Sequence, residues 1–117
     1  MSTKKLELVE REKGGAVVID IIGELTAANS TERLLDMVRK NVEAGRRRLL
    51  INLSQCRRVD SSGMGELVTC LVSAARHDAS LILTDVPQPI RGIMKLTNVH
   101  KAFEFFETED EAVKKQG

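Results

Sequence analysis

The sequence predicts an α/β domain: a mixed sheet of four or five strands with about four helices packed on it. Three observations predict it. A short glycine turn, Lys13-Gly14-Gly15, separates an alternating segment from a β-branched run, which is the pattern of an antiparallel hairpin. Apolar strands and amphipathic helical stretches then alternate along the chain, the pattern of right-handed parallel crossovers. No repeat, linker or low-complexity segment interrupts the 117 residues, a length that suits one domain, residues 1–117, with one core.

Lys5 to Arg11 alternates, with Leu6 and Leu8 on one side, and reads as a strand with one solvated face. As an exposed edge it offers pairing between copies, which its charges oppose, so at most a weak homodimer is expected. Ala16 to Ile22 is β-branched enough for a central strand, ended by Gly23-Glu24-Leu25-Thr26. Asn29 with Glu32 three residues later resembles a capping box. The helix it would open carries Leu34, Leu35, Met37, Val38 and Val42 at helical spacing and closes at Gly45.

Arg46, Arg47 and Arg48 lead into the strand Leu49 to Leu53, giving the first parallel crossover. A second helix, about Ser62 to His77, is apolar over most of its circumference and is expected to be largely buried. Ser80 to Thr84 completes the second crossover. Pro87-Gln88-Pro89 opens a third helix with an apolar stripe of Ile90, Ile93, Met94 and Leu96, ending at Thr97-Asn98. Phe103 to Glu107 reads as a short edge strand. Thr108-x-x-Glu111 is a capping-box signature for a last helix, Glu109 to Lys115.

Composition narrows the function. A net charge of +1 and three aromatic residues, all phenylalanine, argue against direct nucleic-acid binding. No apolar run approaches the roughly 20 residues of a membrane span, and the first residues carry no apolar signal region, so a cytoplasmic location is expected. Cys56 and Cys70 lack metal or redox spacing; Cys70 reads as a core residue, and Cys56 as one that could be exposed. His77 and His100 have no ligand partner at metal spacing, and Glu66 and Asp85 are single carboxylates. The inventory of catalytic groups is poor, and neither enzymatic activity nor a cofactor is expected.

The segment Asp60-Ser61-Ser62-Gly63-Met64-Gly65 stands out. It lies between an apolar strand and an apolar helical run, where unpaired backbone N–H groups and a partial positive charge face outward. A hydroxyl there is well placed to carry or contact an anion. The structural alternative is that Asp60 and a serine simply cap the helix while Gly63 and Gly65 permit close packing. Two adjacent hydroxyls exceed what one cap requires, and each glycine costs the helix roughly 1 kcal/mol relative to alanine. Arg57 and Arg58, in the loop before the motif, read most simply as solvated charges, yet they are near enough in sequence to meet a phosphate or an acidic partner.

On that motif, and on the hairpin, the run Val17 to Ile22 with Gly23-Glu24-Leu25, the helix Thr31 to Glu43, the strand Leu49 to Leu53, the strand Leu81 to Thr84, the helix Ile90 to Leu96 and the ending Phe103 to Ala112, the chain resembles the STAS domain family. Within it the likeness is to the anti-sigma-factor antagonists. The resemblance implies the STAS fold, with an N-terminal antiparallel hairpin and two parallel crossovers. It implies a binding module whose unphosphorylated form docks on an anti-sigma factor with serine kinase activity and frees the sigma factor. It further implies phosphorylation of Ser61, reversed by a serine phosphatase, and a contact surface containing Asp60, Ser61, Ser62, Gly63, Met64 and Gly65. Phosphate on Ser61 is expected to block docking locally, by charge and bulk, without rearranging the domain.

Two departures fall near that surface. Many antagonists carry Asp where this chain has Thr26, and apolar residues where it has Arg57 and Arg58. The arginines could even pair with a Ser61 phosphate. The alternative reading is a STAS module of a lipid-transport complex or a small-ligand or nucleotide-binding regulator, in which Ser61 is contact surface only.

Overall fold

The computed structural model describes residues 5–30 and 32–116; Thr31 and the chain ends, which the readings above included, lie outside the described residues. Strands β1 (Leu6–Lys13) and β2 (Ala16–Leu25) form the expected antiparallel hairpin, in register from Leu6 opposite Gly23 to Lys13 opposite Ala16. Gly14 and Gly15 both hold positive φ, 58° and 82°, the two-residue turn whose twist matches a hairpin.

Helix α1 (Arg33–Glu43) carries the chain to β3 (Arg48–Asn52), which pairs parallel with β2. Helix α2 (Ser61–Arg76) leads to β5 (Ser80–Thr84), parallel to β3. Helix α3 (Gln88–Leu96) and a single 3-10 turn, Val99–Ala102, lead to β6 (Glu104–Phe106), parallel to β5. Helix α4 (Glu109–Gln116) closes the described chain, and the Glu111 amide donates to the Thr108 hydroxyl at 3.1 Å, the N-cap bond its signature foretold.

The sheet order is β1-β2-β3-β5-β6, and a sixth strand, β4 (Cys56–Val59), pairs parallel with the far end of β2. From sequence Arg57 and Arg58 read as part of a loop, because two adjacent arginines show no alternation. A bulge explains them. Gly23 opposes Cys56 and Glu24 opposes Arg58, so Arg57 is the extra residue, and both arginines stand outside while Cys56 and Val59 stay buried.

Both faces of the sheet are covered, which is why β2, β3 and β5 read as continuous apolar runs. On one face Val17, Ile19, Ile21, Leu49, Ile51, Leu81 and Leu83 pack under α1, α2 and α3. On the other, Ala16, Val18, Leu50 and Ile82 pack against Ala112 of α4. An ion-pair network pins α4 there: Glu109 accepts from Arg11 Nη1 at 2.9 Å and Asn52 Nδ2 at 2.8 Å, and Lys13 Nζ lies 3.0 Å away. Those donors, Arg11 first, hold the Glu109 carboxyl down at about 2.

Three further expectations change. α2 is buried along one face only, at Gly63, Met64, Leu67, Cys70 and Ala74; Val72 and Ala75 lie outside, because α1 and the sheet cover only part of its circumference. Ile93 and Leu96 of the α3 stripe are also exposed, leaving Ile90 and Met94 as its anchors. Cys56 is buried, not exposed.

Candidate functional site

The turn from β4 into α2 is built around Asp60. Its extended backbone (φ −92°, ψ −175°) makes it the N-cap, and Oδ1 accepts from the Gly63 amide at 2.9 Å. Oδ2 accepts from the Ala27 amide at 3.1 Å, so one side chain joins the helix start to the β2–α1 loop. The amides of Gly63 and Ala27, then that of Ser62 and the charge of Arg58, hold its carboxyl below the usual carboxylate range. Asp60 is therefore an ionised clamp.

The two glycines differ. A Cβ on Gly63 would lie 2.0 Å from the Leu25 carbonyl oxygen, so only glycine lets α2 cross the end of β2 so closely. A Cβ on Gly65 would meet nothing within 4 Å. Gly63 is structural; Gly65 leaves the exposed face of the first turn flat. Met64 is 6% exposed and packs in the main core, because the helical period turns it with Leu67 toward the sheet. Ser61 and Ser62 are exposed.

Thr26 is buried, and its carbonyl accepts from the Asn29 and Ser30 amides, which folds the β2–α1 loop back beside α2. Between loop and helix lies a cleft of about 350 Å³ lined by Thr26, Ala27, Ser30, Glu32, Leu35, Ser62, Glu66 and Thr69. Ser62 thus opens onto the cleft.

Glu66 organises its floor. Oε2 accepts from the Leu35 amide at 3.0 Å, and Oε1 accepts from the Ser30 hydroxyl. A carboxylate on α2 therefore caps α1 from across the cleft. The capping box expected at Asn29 and Glu32 does not form: Glu32 takes the left-handed conformation (φ 69°) with no side-chain cap, and the Asn29 side chain donates to the Glu24 carbonyl at 3.3 Å. Glu66, read from sequence as a lone carboxylate, was missed. Its one local signal is position, four residues past Ser62 on the same helix face.

Arg57 and Arg58 are exposed on β4, and the pleat sets Arg58 opposite Glu24 while the next pair, Val59 and Leu25, faces the helices. Arg58 accordingly stands on the sheet face opposite α2, near enough for its charge to act on Asp60. Arg46 and Arg48 are engaged elsewhere, Arg46 with Glu12 and Arg48 with the carbonyls of Gly14 and Val113, at the end of β3 remote from the motif. His77 Nδ1 meets the Ser73 carbonyl at 3.0 Å. Burial pushes the Cys70 thiol up to about 12 and raises that of Cys56, so neither is a reactive thiolate. Among the described residues no group of three or more His, Cys, Asp or Glu is placed to hold a metal, and no helix is long and apolar enough to cross a membrane.

The STAS domain family model matches residues 7–112, from the hairpin to the core contact of α4. The chain belongs to the STAS domain family. Its fold is shared with solved structures of low identity. A crystal structure of an anti-sigma factor antagonist from Mycobacterium paratuberculosis superposes with a TM-score of 0.83 at 19% identity, covering 97% of this chain and 95% of that one. The phosphorylated form of the Bacillus cell fate determinant SpoIIAA gives 0.70 at 20% identity, over 96% and 99% of the two chains. A sulfate transporter family protein from Wolinella succinogenes gives 0.74 at 18% identity, over 86% and 83%. In this STAS domain, Asp60 ties the helix start that carries Ser61 and Ser62 to the Ala27 amide, and Ser62 lines the Glu66 cleft.

Proposed function

We propose that this STAS domain is an anti-sigma-factor antagonist that docks, unphosphorylated, on an anti-sigma factor with serine kinase activity, and that phosphorylation of Ser61 ends the docking. The observation that carries the reading is the Asp60 clamp. It holds an exposed Ser61 at the first turn of α2 and ties that turn to the β2–α1 loop, so that helix start and loop present one surface. A neutral serine leaves this surface open to a partner. A phosphate there adds nearly two charges and bulk beside ionised Asp60, and desolvating them in an interface is costly. The helix start tolerates the anion, so the domain keeps its fold and the block is local. A serine phosphatase resets the switch. The domain acts by binding, in the cytoplasm, without catalysis of its own. Within the surface, Thr26 lines the cleft, Gly65 keeps the first turn flat, and Gly63 and Met64 shape it from below.

The test is a binding titration against kinase-like anti-sigma factors of the host, with nucleotide, using wild type, Ser61→Ala and Ser61→Asp. Binding by the first two, loss with Ser61→Asp, and phosphate located on Ser61 by mass spectrometry are the expected results. Binding that survives Ser61→Asp overturns the switch.

The cleft favours a second reading, a STAS module that takes a small ligand or nucleotide or serves a lipid-transport complex, with Ser61 as contact surface. Ligand-dependent shifts at Thr26 and Glu66 without any anti-sigma binding would decide for it.

A further inference from the structure

The cleft at Ser62 continues along the protein. Thr69 lines it and also lines a second cleft, of about 270 Å³, between the later turns of the same two helices. Glu32, Leu35, Arg39 and Glu43 form its α1 wall at steps of three and four residues, one face of that helix. Ser62, Glu66, Thr69, Val72 and Arg76 form the α2 wall in the same way. The helices run in the same direction, and from Ser62 to Arg76 the groove is about 21 Å long at the α-helical rise.

Its charge is uneven. The end beside the motif holds Glu32 and Glu66 with hydroxyls and no cation. The far end holds Arg39, Arg76 and His77 against one carboxylate, Glu43. Neither arginine forms an ion pair with a described residue. Arg76 also suits the last turn of α2, where a cation complements the helix dipole; Arg39, in mid-helix, has no such role. Within that far end, one turn before Arg76, Val72 is 45% exposed, the one large apolar side chain of α2 left so open.

We propose that the α1–α2 groove seats an amphipathic helix of the protein partner, with its apolar stripe on Val72 and its acidic residues at the Arg39–Arg76 end. The inference rests on the docking role proposed above and extends it from the motif to a lengthwise groove. Helix-in-groove recognition needs an apolar contact and charge to set direction, and the far half of the groove sets Val72 beside Arg39 and Arg76. The acidic end beside the motif repels the acidic end of the incoming helix, so orientation is fixed by repulsion as well as attraction.

Two synthetic helical peptides of about 14 residues, matched to the groove length at 1.5 Å per residue, test this. They share a leucine stripe; one carries glutamates at one end and the other lysines in the same places. Backbone amide shifts are followed by NMR in wild type, Arg39→Glu/Arg76→Glu and the milder Arg39→Gln/Arg76→Gln, with circular dichroism to check folding. The glutamate peptide is expected to shift the amides of Thr69, Val72 and Ser73, to bind about tenfold more weakly to the reversed variant, and to lose affinity with salt. The lysine peptide should gain what the glutamate peptide loses. Equal binding of both peptides, shifts outside the groove, or no binding of the glutamate peptide overturns the proposal. So do concentration-dependent shifts at Val72 without peptide, which would assign the groove to a second copy of the chain. The anti-sigma titration separates the two readings. If a partner binds there and charge reversal leaves its affinity intact, the groove fails while the docking role stands. If no partner binds but the glutamate peptide seats, the groove stands and the anti-sigma identity fails.

Discussion

Asp60 and Ala27, 33 residues apart in sequence, are joined by a 3.1 Å hydrogen bond from the Ala27 amide to Asp60 Oδ2. The same carboxylate caps α2 through its other oxygen. The start of α2 and the loop after β2 therefore move as one unit, and the surface they share depends on one side chain.

Asp60→Ala removes both bonds. Loss of an N-cap costs about 0.5–2 kcal/mol, and the β2–α1 loop is freed as well. Urea denaturation should show that loss. Asp60→Asn, which keeps an acceptor for Gly63, should lie between the two. The carboxyl is held below its ordinary value, so its contribution is present above about pH 4 and is lost as pH falls through the lowered folded value. A wild-type minus Asp60→Asn stability difference that grew on acidification would contradict this.

Gly63→Ala and Gly65→Ala should part company. At Gly63 the new Cβ would sit 2.0 Å from the Leu25 carbonyl oxygen, so α2 must shift, at about 1–3 kcal/mol for overpacking. At Gly65 the space is open, and alanine should stabilise the helix by up to about 1 kcal/mol. Thermal melts of the two variants check the contrast. If Gly65 serves docking, Gly65→Ala gains stability and loses partner affinity.

Glu66→Ala takes the cap from α1 and the acceptor from Ser30 together. A destabilisation of about 1 kcal/mol is expected, with faster hydrogen exchange at the Leu35 amide. Unchanged exchange there would mean that α1 does not rely on α2 for its cap.

Acid should loosen α4 through Glu109. Its folded value of about 2 lies below the ordinary 4.5. A depressed carboxylate contributes stability that is full above its unfolded value and is lost as pH falls through the folded one, so the loss runs from about pH 4.5 down to about 2. Glu109→Gln should flatten the pH dependence of unfolding in that window. A profile as steep as wild type would assign the acid sensitivity to other carboxylates.

Strong local signals carried far in this chain. The Gly14-Gly15 turn, the β-branched Ala16 to Ile22 and the Thr108 cap each name their own structure within a few residues, and each is seen. The weaker readings failed where the deciding partner was distant. Asn29 and Glu32 matched a capping box in spacing, but Glu66 reaches α1 first, and the loop folds to suit that contact. Arg57 and Arg58 concealed a strand because a bulge breaks the alternation by which a strand is recognised.

The α/β class, the hairpin, the crossovers and the exposed serines at the start of α2 are written in local patterns, because period, turn chemistry and capping act between near neighbours. That Gly63 packs while Gly65 stays open, that Asp60 clamps the Ala27 loop, and that Glu66 closes the cleft emerge only in the folded domain. These depend on how close α2 lies to β2 and α1, a distance set by packing of the whole core and by no local pattern.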